Sequence, residues 1–212
     1  TWAALAEAAA AGDEPDRLRV FRTAETVSVA RAAGLDSFPS LASGLELDLR
    51  SAPSLLSDSE LAGAVLSGVK EIKAVMVVHN ETSTGVTSRI PEIRQAIDRA
   101  KHPTLLMVDT ISSLASIDYR HDEWGVDVTV AGSQKGLMLP PGIAFNAIGP
   151  KARAAAKSAR FPKSYWNWEE ILSANKSGFF PYTPATNLLY GLREALRMLH
   201  EEGLETVFAR HA

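Results

Sequence analysis

A chain of 212 residues with 46% hydrophobic residues and a formal net charge of −3 has enough apolar side chains for one sizeable core. Its 22 basic and 25 acidic residues are interspersed, so we expect no nucleic-acid partner. Its apolar runs are shorter than the roughly 18 residues of a membrane span, so we expect no membrane partner. Because no leader sequence is recognisable at its start, we expect a cytoplasmic protein. The absence of cysteine excludes disulfides and thiolate metal sites, and the spacing of the five histidines predicts no metal.

The predicted elements become clear from about residue 70 onward. Trp2 to Ala11 is rich in alanine and prone to form a helix, and the segment after it has no clear period. Ala74 to Val78 is a continuous apolar run of strand length, the isoleucines of Ser88 to Lys101 recur at helical spacing, and Thr104 to Val108 predicts the next strand. This succession predicts a right-handed βαβ unit with two parallel strands.

Two more strands are expected further along the chain, at Val126 to Ala131 and at Ile143 to Ile148. About ten residues separate them, too few for a helical crossover, so the last strand should run antiparallel to its neighbour. We therefore predict an α/β fold with a mixed, mostly parallel sheet flanked by helices.

Polar side chains follow the three strands that are expected to be parallel. Thr82 lies in the loop after the first strand, Asp109 ends the second, and Lys135 follows the third. Because ligands bind beyond the carboxyl ends of parallel strands, these residues should share one cleft. A carboxylate and an amine placed there fit a structural salt bridge, a hydrolytic dyad or a cofactor site. Pyridoxal phosphate requires such a pair, with the amine at its aldehyde carbon and the carboxylate across the ring at the pyridine nitrogen.

Four motifs, in chain order, resemble those of a known family. They are His79 to Val86 (HNETSTGV), Val108 to Leu114 (VDTISSL), Gly132 to Gly136 (GSQKG, with PPG soon after it) and Pro181 to Asn187 (PYTPATN). From about Lys73 to Arg210 the chain resembles the class V, fold-type I pyridoxal-phosphate aminotransferases, and among them the bacterial serine–glyoxylate aminotransferases.

The resemblance implies a role for each of five residues. Lys135 would carry pyridoxal 5′-phosphate as a Schiff base and later move the substrate's α-proton, and Asp109 would meet the pyridine nitrogen. Thr82 would bond near the phenolic oxygen and Gln134 would contact the phosphate. Thr183, expected just before a helix that begins near Pro184, would reach the phosphate of the neighbouring subunit. This implies a homodimer with its site at the subunit interface.

The implied reaction moves the amino group of serine to glyoxylate, giving hydroxypyruvate and glycine by a ping-pong route through pyridoxamine phosphate. Alanine–glyoxylate transfer, or another small amino acid and 2-oxo acid pair, remains an alternative, as does a noncatalytic fragment. A serine–lysine acyl-enzyme pattern at Ser173 to Lys176 lacks its companion elements. Residues 1–195 are expected to form a partial cofactor-binding large domain, of which 1–66 match the family poorly. Residues 196–212 would lead towards a small domain absent from this chain, which we expect to be truncated at both ends.

Other prominent side chains are interpreted as structural. His79 is expected to be a core histidine at a strand end. For Tyr165, Trp166 and Trp168, packing between amphipathic segments is favoured over the alternative, the lining of a substrate entrance. A leucine stripe with helical spacing predicts a core-facing surface; its members are Leu188, Leu189, Leu192, Leu196 and Leu199.

Overall fold

The structure is a computed structural model that describes residues 72–212 and two short strands nearer the N-terminus. Those two strands, β1 (Ser37–Pro39) and β2 (Glu46–Asp48), pair antiparallel. The segment from Trp2 to Ala11 lies outside the described residues. The later elements are β3 (Ala74–Val78), α1 (Ile90–Arg99), β4 (Leu105–Asp109), β5 (Val128–Gly132), β6 (Ala144–Ile148), α2 (Pro150–Ser158), α3 (Trp168–Asn175), α4 (Thr186–Glu202) and α5 (Leu204–His211).

Strands β3 to β6 form one four-stranded sheet in the order in which they occur in the chain. Strands β3, β4 and β5 are parallel, with Val78 opposite Asp109 and Asp109 opposite Val130. Strand β6 runs antiparallel to β5, with Gly132 opposite Ala144. The mixed, mostly parallel sheet and the antiparallel return after Gly132 are therefore confirmed.

Helix α1 packs on one face of this sheet, and the helix and the sheet together form the main hydrophobic core. Its isoleucines Ile90, Ile93 and Ile97 are at most 2% exposed. Burial of each stabilises the fold by roughly 1.5–3 kcal/mol. The sheet residues packed in the same core come from alternate positions of the strands and their flanks: Ile72, Val75, Val77, Leu106, Val108 and Val126.

Helix α1 is shorter at both ends than the periodicity of Ser88 to Lys101 predicts. It begins at Ile90, with Pro91 in its first turn, where the missing N–H of proline costs no hydrogen bond. It ends at Arg99, because Lys101 has a φ of 49°, which is incompatible with a right-handed helix.

A buried carboxylate stabilises one edge of the sheet. This edge is opposite the one at which Asp109 and Gly132 lie. Asp127 is 8% exposed, and its Oδ2 accepts a hydrogen bond of 2.8 Å from the backbone N–H of Leu106. The Nζ of Lys151 and a guanidinium nitrogen of Arg94 lie 3.7 and 3.8 Å from the same oxygen. This carboxylate therefore links the start of β5 to β4, α1 and α2.

A second, smaller core joins the C-terminal helices to the segment after β5. Its buried members are Leu137, Leu139, Ala195, Leu199 and Val207. The leucine stripe is therefore a core surface at Leu199 and, in part, at Leu192, but the prediction is wrong for Leu196, which is 51% exposed.

The packing predicted for Tyr165 and Trp166 is wrong, since they are 58% and 82% exposed. Both precede α3, which begins only at Trp168, so no helical face carries them into a core. Tyr165 has a φ of 63°, and its ring lies 4.9 Å from that of Tyr182.

Among residues 72–212, no helix is both long and apolar enough to cross a membrane. The domain boundary predicted at residue 195 falls inside α4 and stays a prediction.

Candidate active site

The carboxyl ends of β3, β4 and β5 lie side by side at one edge of the sheet. The loop after β3 carries Thr82, β4 ends with Asp109, and the loop after β5 carries Gln134 and Lys135. The topology thus places four of the five residues named from the sequence at one edge.

Hydrogen bonds shape the loop after β3. The Nδ2 of Asn80 donates to the carbonyl of Gly85 at 3.2 Å and to Oγ1 of Thr87 at 3.0 Å, closing the loop at its base. Thr82 is exposed near the tip, and its Oγ1 lies 2.6 Å from the Oγ of Ser112 in the loop after β4. The Thr82 hydroxyl is therefore fixed against the neighbouring strand end.

Asp109 is half-buried, and its carboxylate is oriented by the turn that follows it. Its Oδ1 accepts a hydrogen bond of 2.8 Å from the N–H of Ile111, and its carbonyl accepts one of 2.8 Å from the N–H of His79. Within residues 72–212, no ion pair joins this carboxylate to the amine of Lys135. The structural salt bridge considered from the sequence is therefore not formed.

The loop with Lys135 is anchored at its base and exposed at its functional residues. Ser133 is fully buried, donates from its Oγ to the carbonyl of Pro140 at 2.8 Å and accepts from the N–H of Ile143 at 3.3 Å. Gln134 and Lys135 are both exposed. A rigid base thus presents an amide and an amine to solvent.

Two glycines allow this loop to lie close to the loop after β4. An ideal Cβ on Gly136 would overlap the carbonyl oxygen of Leu114 and would lie 2.6 Å from the Oγ of Ser116. An ideal Cβ on Gly132 would lie 3.2 Å from the Cδ1 of Ile111 in the loop after β4, and 2.7 Å from the Oε1 of Gln134 in its own loop. Because neither glycine carries a Cβ, the loops of Lys135 and Asp109 can lie close together.

A buried polar and aromatic cluster lies next to these loops. The ring of His79 lies 5.2 Å from that of Tyr119 and 6.0 Å from that of Trp124. Burial lowers the pKa of His79 to about 4, opposed by the nearby charge of Asp118, and raises the pKa of Tyr119 to about 12, opposed by its hydrogen bond to Thr129. Both rings are uncharged at neutral pH, and the core position expected for His79 is confirmed.

Thr183 is the one candidate residue outside the three loops described above. Helix α4 begins at Thr186, two residues after Pro184, and Pro184 restricts Thr183, the residue before it, to extended conformations. Thr183 is exposed, and no hydrogen bond of residues 72–212 connects it to Lys135 or Asp109.

The chemistry of these side chains fits pyridoxal phosphate. The edge offers an amine for an aldehyde, a carboxylate for a pyridine nitrogen, a hydroxyl for a phenolic oxygen and an amide for a phosphate. They come from the ends of three neighbouring strands, with Gln134 and Lys135 adjacent in one loop, and a ring with substituents on several sides requires such a spread.

Sequence analysis missed three contributors to this edge. Ser112 holds Thr82, Ser113 bonds to the Nδ1 of His79 at 2.8 Å, and Gly136 permits the close approach of the loops. The only signal for the serines was their position in the VDTISSL motif directly after β4, a polar run typical of a turn.

Comparison with known proteins places this edge in a family. Residues 56–212 match the family model described as aminotransferase class-V. The chain is 56% identical over 147 residues to serine–glyoxylate aminotransferase of Methylorubrum extorquens, covering 67% of this chain and 37% of that protein. It is 49% identical over 141 residues to L-aspartate–glyoxylate aminotransferase of Paracoccus denitrificans, covering 66% of this chain and 36% of that protein.

A solved structure agrees with the fold. Alanine–glyoxylate aminotransferase from Nostoc sp. matches with a TM-score of 0.68 at 29% identity, over 99% of this chain and 55% of that chain. The chain spans little more than a third of the length of the curated relatives it matches. The expected fold-type I architecture, as a partial domain, is confirmed. With three quarters of its residues matched by the family model, the chain belongs to the class-V aminotransferase family.

Proposed function

We propose that this chain supplies the cofactor-binding part of a pyridoxal-phosphate-dependent aminotransferase that moves the amino group of serine to glyoxylate. The observation that carries the proposal is the placement of Asp109 and the Lys135 loop at adjacent parallel strand ends, in a chain 56% identical to a serine–glyoxylate aminotransferase. Small amino acids and 2-oxo acids would be its substrates.

Each residue at the rim would have one task. When bound, pyridoxal phosphate supplies an aldehyde for the amino group and a ring that withdraws electrons from the substrate's α-carbon. The amine of Lys135 would hold the cofactor at its aldehyde carbon, and its Nζ would take the α-proton of the amino donor. The carboxylate of Asp109 keeps the ring nitrogen protonated, in the orientation set by Ile111. Thr82 would bond to the phenolic oxygen and Gln134 to the phosphate.

The exposed position of Thr183 supports a homodimer. Thr183 precedes α4 by three residues, is exposed, and forms no hydrogen bond with Lys135 or Asp109 within residues 72–212, so its side chain is accessible to a second copy of the chain. We propose that Thr183 contacts the phosphate held by the partner subunit, where the free N–H groups of the helix start also favour an anion. The enzyme would act in the cytoplasm, with residues 1–195 as large domain and 196–212 leading to a small domain.

The choice of amino donor can be tested directly. The complete natural gene product that carries this sequence is incubated with glyoxylate and L-serine, L-aspartate or L-alanine, and glycine formation is followed. We expect kcat/KM for serine to exceed the other two at least tenfold, a difference of about 1.4 kcal/mol in transition-state binding. A preference for aspartate would favour the alternative suggested by the Paracoccus relative, and one for alanine that suggested by the Nostoc structure. Absence of glycine with every donor would refute the proposed transfer to glyoxylate.

A further inference from the structure

A buried hydrogen bond beneath the rim has no part in the proposed reaction. The Nδ1 of His79 lies 2.8 Å from the Oγ of Ser113, which is 34 positions further along the chain. His79 is 2% exposed and Ser113 is 0% exposed, so neither can contact a substrate. The bond joins the segment that leaves β3 to the turn that leaves β4.

The His79 ring is held rigidly. Its backbone N–H donates to the carbonyl of Asp109 at 2.8 Å, and its carbonyl accepts from the N–H of Ser88 at 2.8 Å. The rings of Tyr119 and Trp124 contact its imidazole. A neutral imidazole fixed on these sides offers its Nδ1 to Ser113 in one orientation.

The Ser113 end of the bond lies in the turn that orients two proposed cofactor ligands. The N–H of Ser113 closes the turn on the carbonyl of Thr110 at 3.1 Å. Within that turn, the N–H of Ile111 holds the carboxylate of Asp109 at 2.8 Å. The adjacent Ser112 hydroxyl lies 2.6 Å from that of Thr82. Ser113 thus belongs to the turn whose backbone and hydroxyl groups hold both ligand groups.

We propose that His79 is a positioning residue that, through Ser113, sets the orientation of the Asp109 carboxylate. The same turn carries the effect to Thr82. His79 contacts no reacting group, and the proposal rests on the cofactor-binding function proposed above. A histidine that only filled space would require its ring, whereas a positioning histidine also requires its Nδ1 bond.

Four variants of the complete natural gene product separate these two roles. Ser113→Ala removes only the hydroxyl, and His79→Leu removes the bond and the ring. His79→Asn keeps a polar atom at the position of Nδ1. Tyr119→Phe is the matched control, because it removes a hydroxyl from the same cluster, bonded to Thr129 at 2.6 Å, without touching Ser113. The free energy of unfolding of each variant is measured without cofactor, so that stability losses are known.

The readouts are the dissociation constant of pyridoxal phosphate and the pH midpoint of the visible band that depends on Lys135. Ser113→Ala and His79→Leu should weaken binding about tenfold, since a charge-assisted hydrogen bond is misaimed. A misaligned Asp109 carboxylate stabilises the positive charge on the pyridine ring less well. The pH midpoint of the visible band should therefore rise by about one pH unit. His79→Asn should recover most of both changes, and Tyr119→Phe should show neither. Wild-type values in Ser113→Ala, or equal losses in Tyr119→Phe, would overturn the proposal.

A second readout keeps the test independent of the cofactor. Hydrogen exchange of the Ile111 amide is measured in the cofactor-free protein, where its bond to Asp109 protects it. Exchange should be about tenfold faster in Ser113→Ala than in Tyr119→Phe, and equal exchange in the two would overturn the role of His79. If the wild-type protein forms no Lys135-dependent band, the proposed function fails, while this comparison still decides whether His79 orients the turn.

Discussion

Replacing Gly136 by alanine places one methyl group between the loops that carry Lys135 and Asp109. The added Cβ would overlap the carbonyl oxygen of Leu114 and would lie 2.6 Å from the Oγ of Ser116 and 2.9 Å from the carbonyl carbon of Ala115. Nonbonded atoms prefer roughly 3.5–4.0 Å, so the two loops must separate by about 1 Å. The obstructing atoms belong largely to the backbone, and a side-chain rotation cannot relieve the overlap.

This separation should affect stability modestly and turnover strongly. Overpacking of this kind costs about 1–3 kcal/mol of folding free energy. A displacement of about 1 Å between reacting groups costs roughly 100-fold in rate. We therefore expect Gly136→Ala to unfold in urea with a free energy lowered by about 2 kcal/mol and to form glycine about 100-fold more slowly under saturating substrates.

Gly149→Ala provides the matched control, because its added Cβ meets nothing closer than 3.5 Å, at the carbonyl of Asp127. Its turnover should stay within about twofold of wild type, with a stability change below about 1 kcal/mol. Wild-type turnover in Gly136→Ala would refute the inference that this glycine sets the spacing of the two loops.

Asp127→Ala should lower the free energy of unfolding by about 2–3 kcal/mol in urea denaturation, because the buried N–H of Leu106 loses a charged acceptor; unchanged stability would contradict the anchoring role. Burial lowers the pKa of His79 from 6.5 to about 4, so the unfolded chain binds the extra proton between these values. Stability should be complete above pH 6.5 and should fall by about 3 kcal/mol as the pH drops to 4; a fall of the same size in His79→Asn would show that another group is responsible. Mixing Thr183→Ala with Lys135→Ala subunits should restore about a quarter of wild-type turnover if each Thr183 serves the partner's site of a twofold dimer, whereas no restoration would place Thr183 in its own subunit's site.

Local sequence patterns predicted the sheet well. Buried parallel strands are continuous apolar runs, so Ala74–Val78 was recognisable with its bounds intact. The short connection after Gly132 leaves no room for a crossover helix, which determined the antiparallel β6. The polar residues at the strand ends then followed from the topology alone.

Features that depend on distant contacts were not predictable. Whether an aromatic residue is buried depends on what packs against it, and nothing local to Tyr165 or Trp166 reports their exposure. The bond between His79 and Ser113 links two loops that only the folded sheet brings together. The requirement for glycine at Gly136 arises from the approach of another loop rather than from its own backbone.

The most direct test of the cofactor site is the visible absorption spectrum of the complete natural gene product after incubation with pyridoxal phosphate. Wild type is compared with Lys135→Ala and with Lys176→Ala, which removes another exposed lysine, at the end of α3. We expect a visible band in wild type and in Lys176→Ala that is absent from Lys135→Ala. A band of wild-type intensity in folded Lys135→Ala would contradict the placement of the cofactor on this lysine.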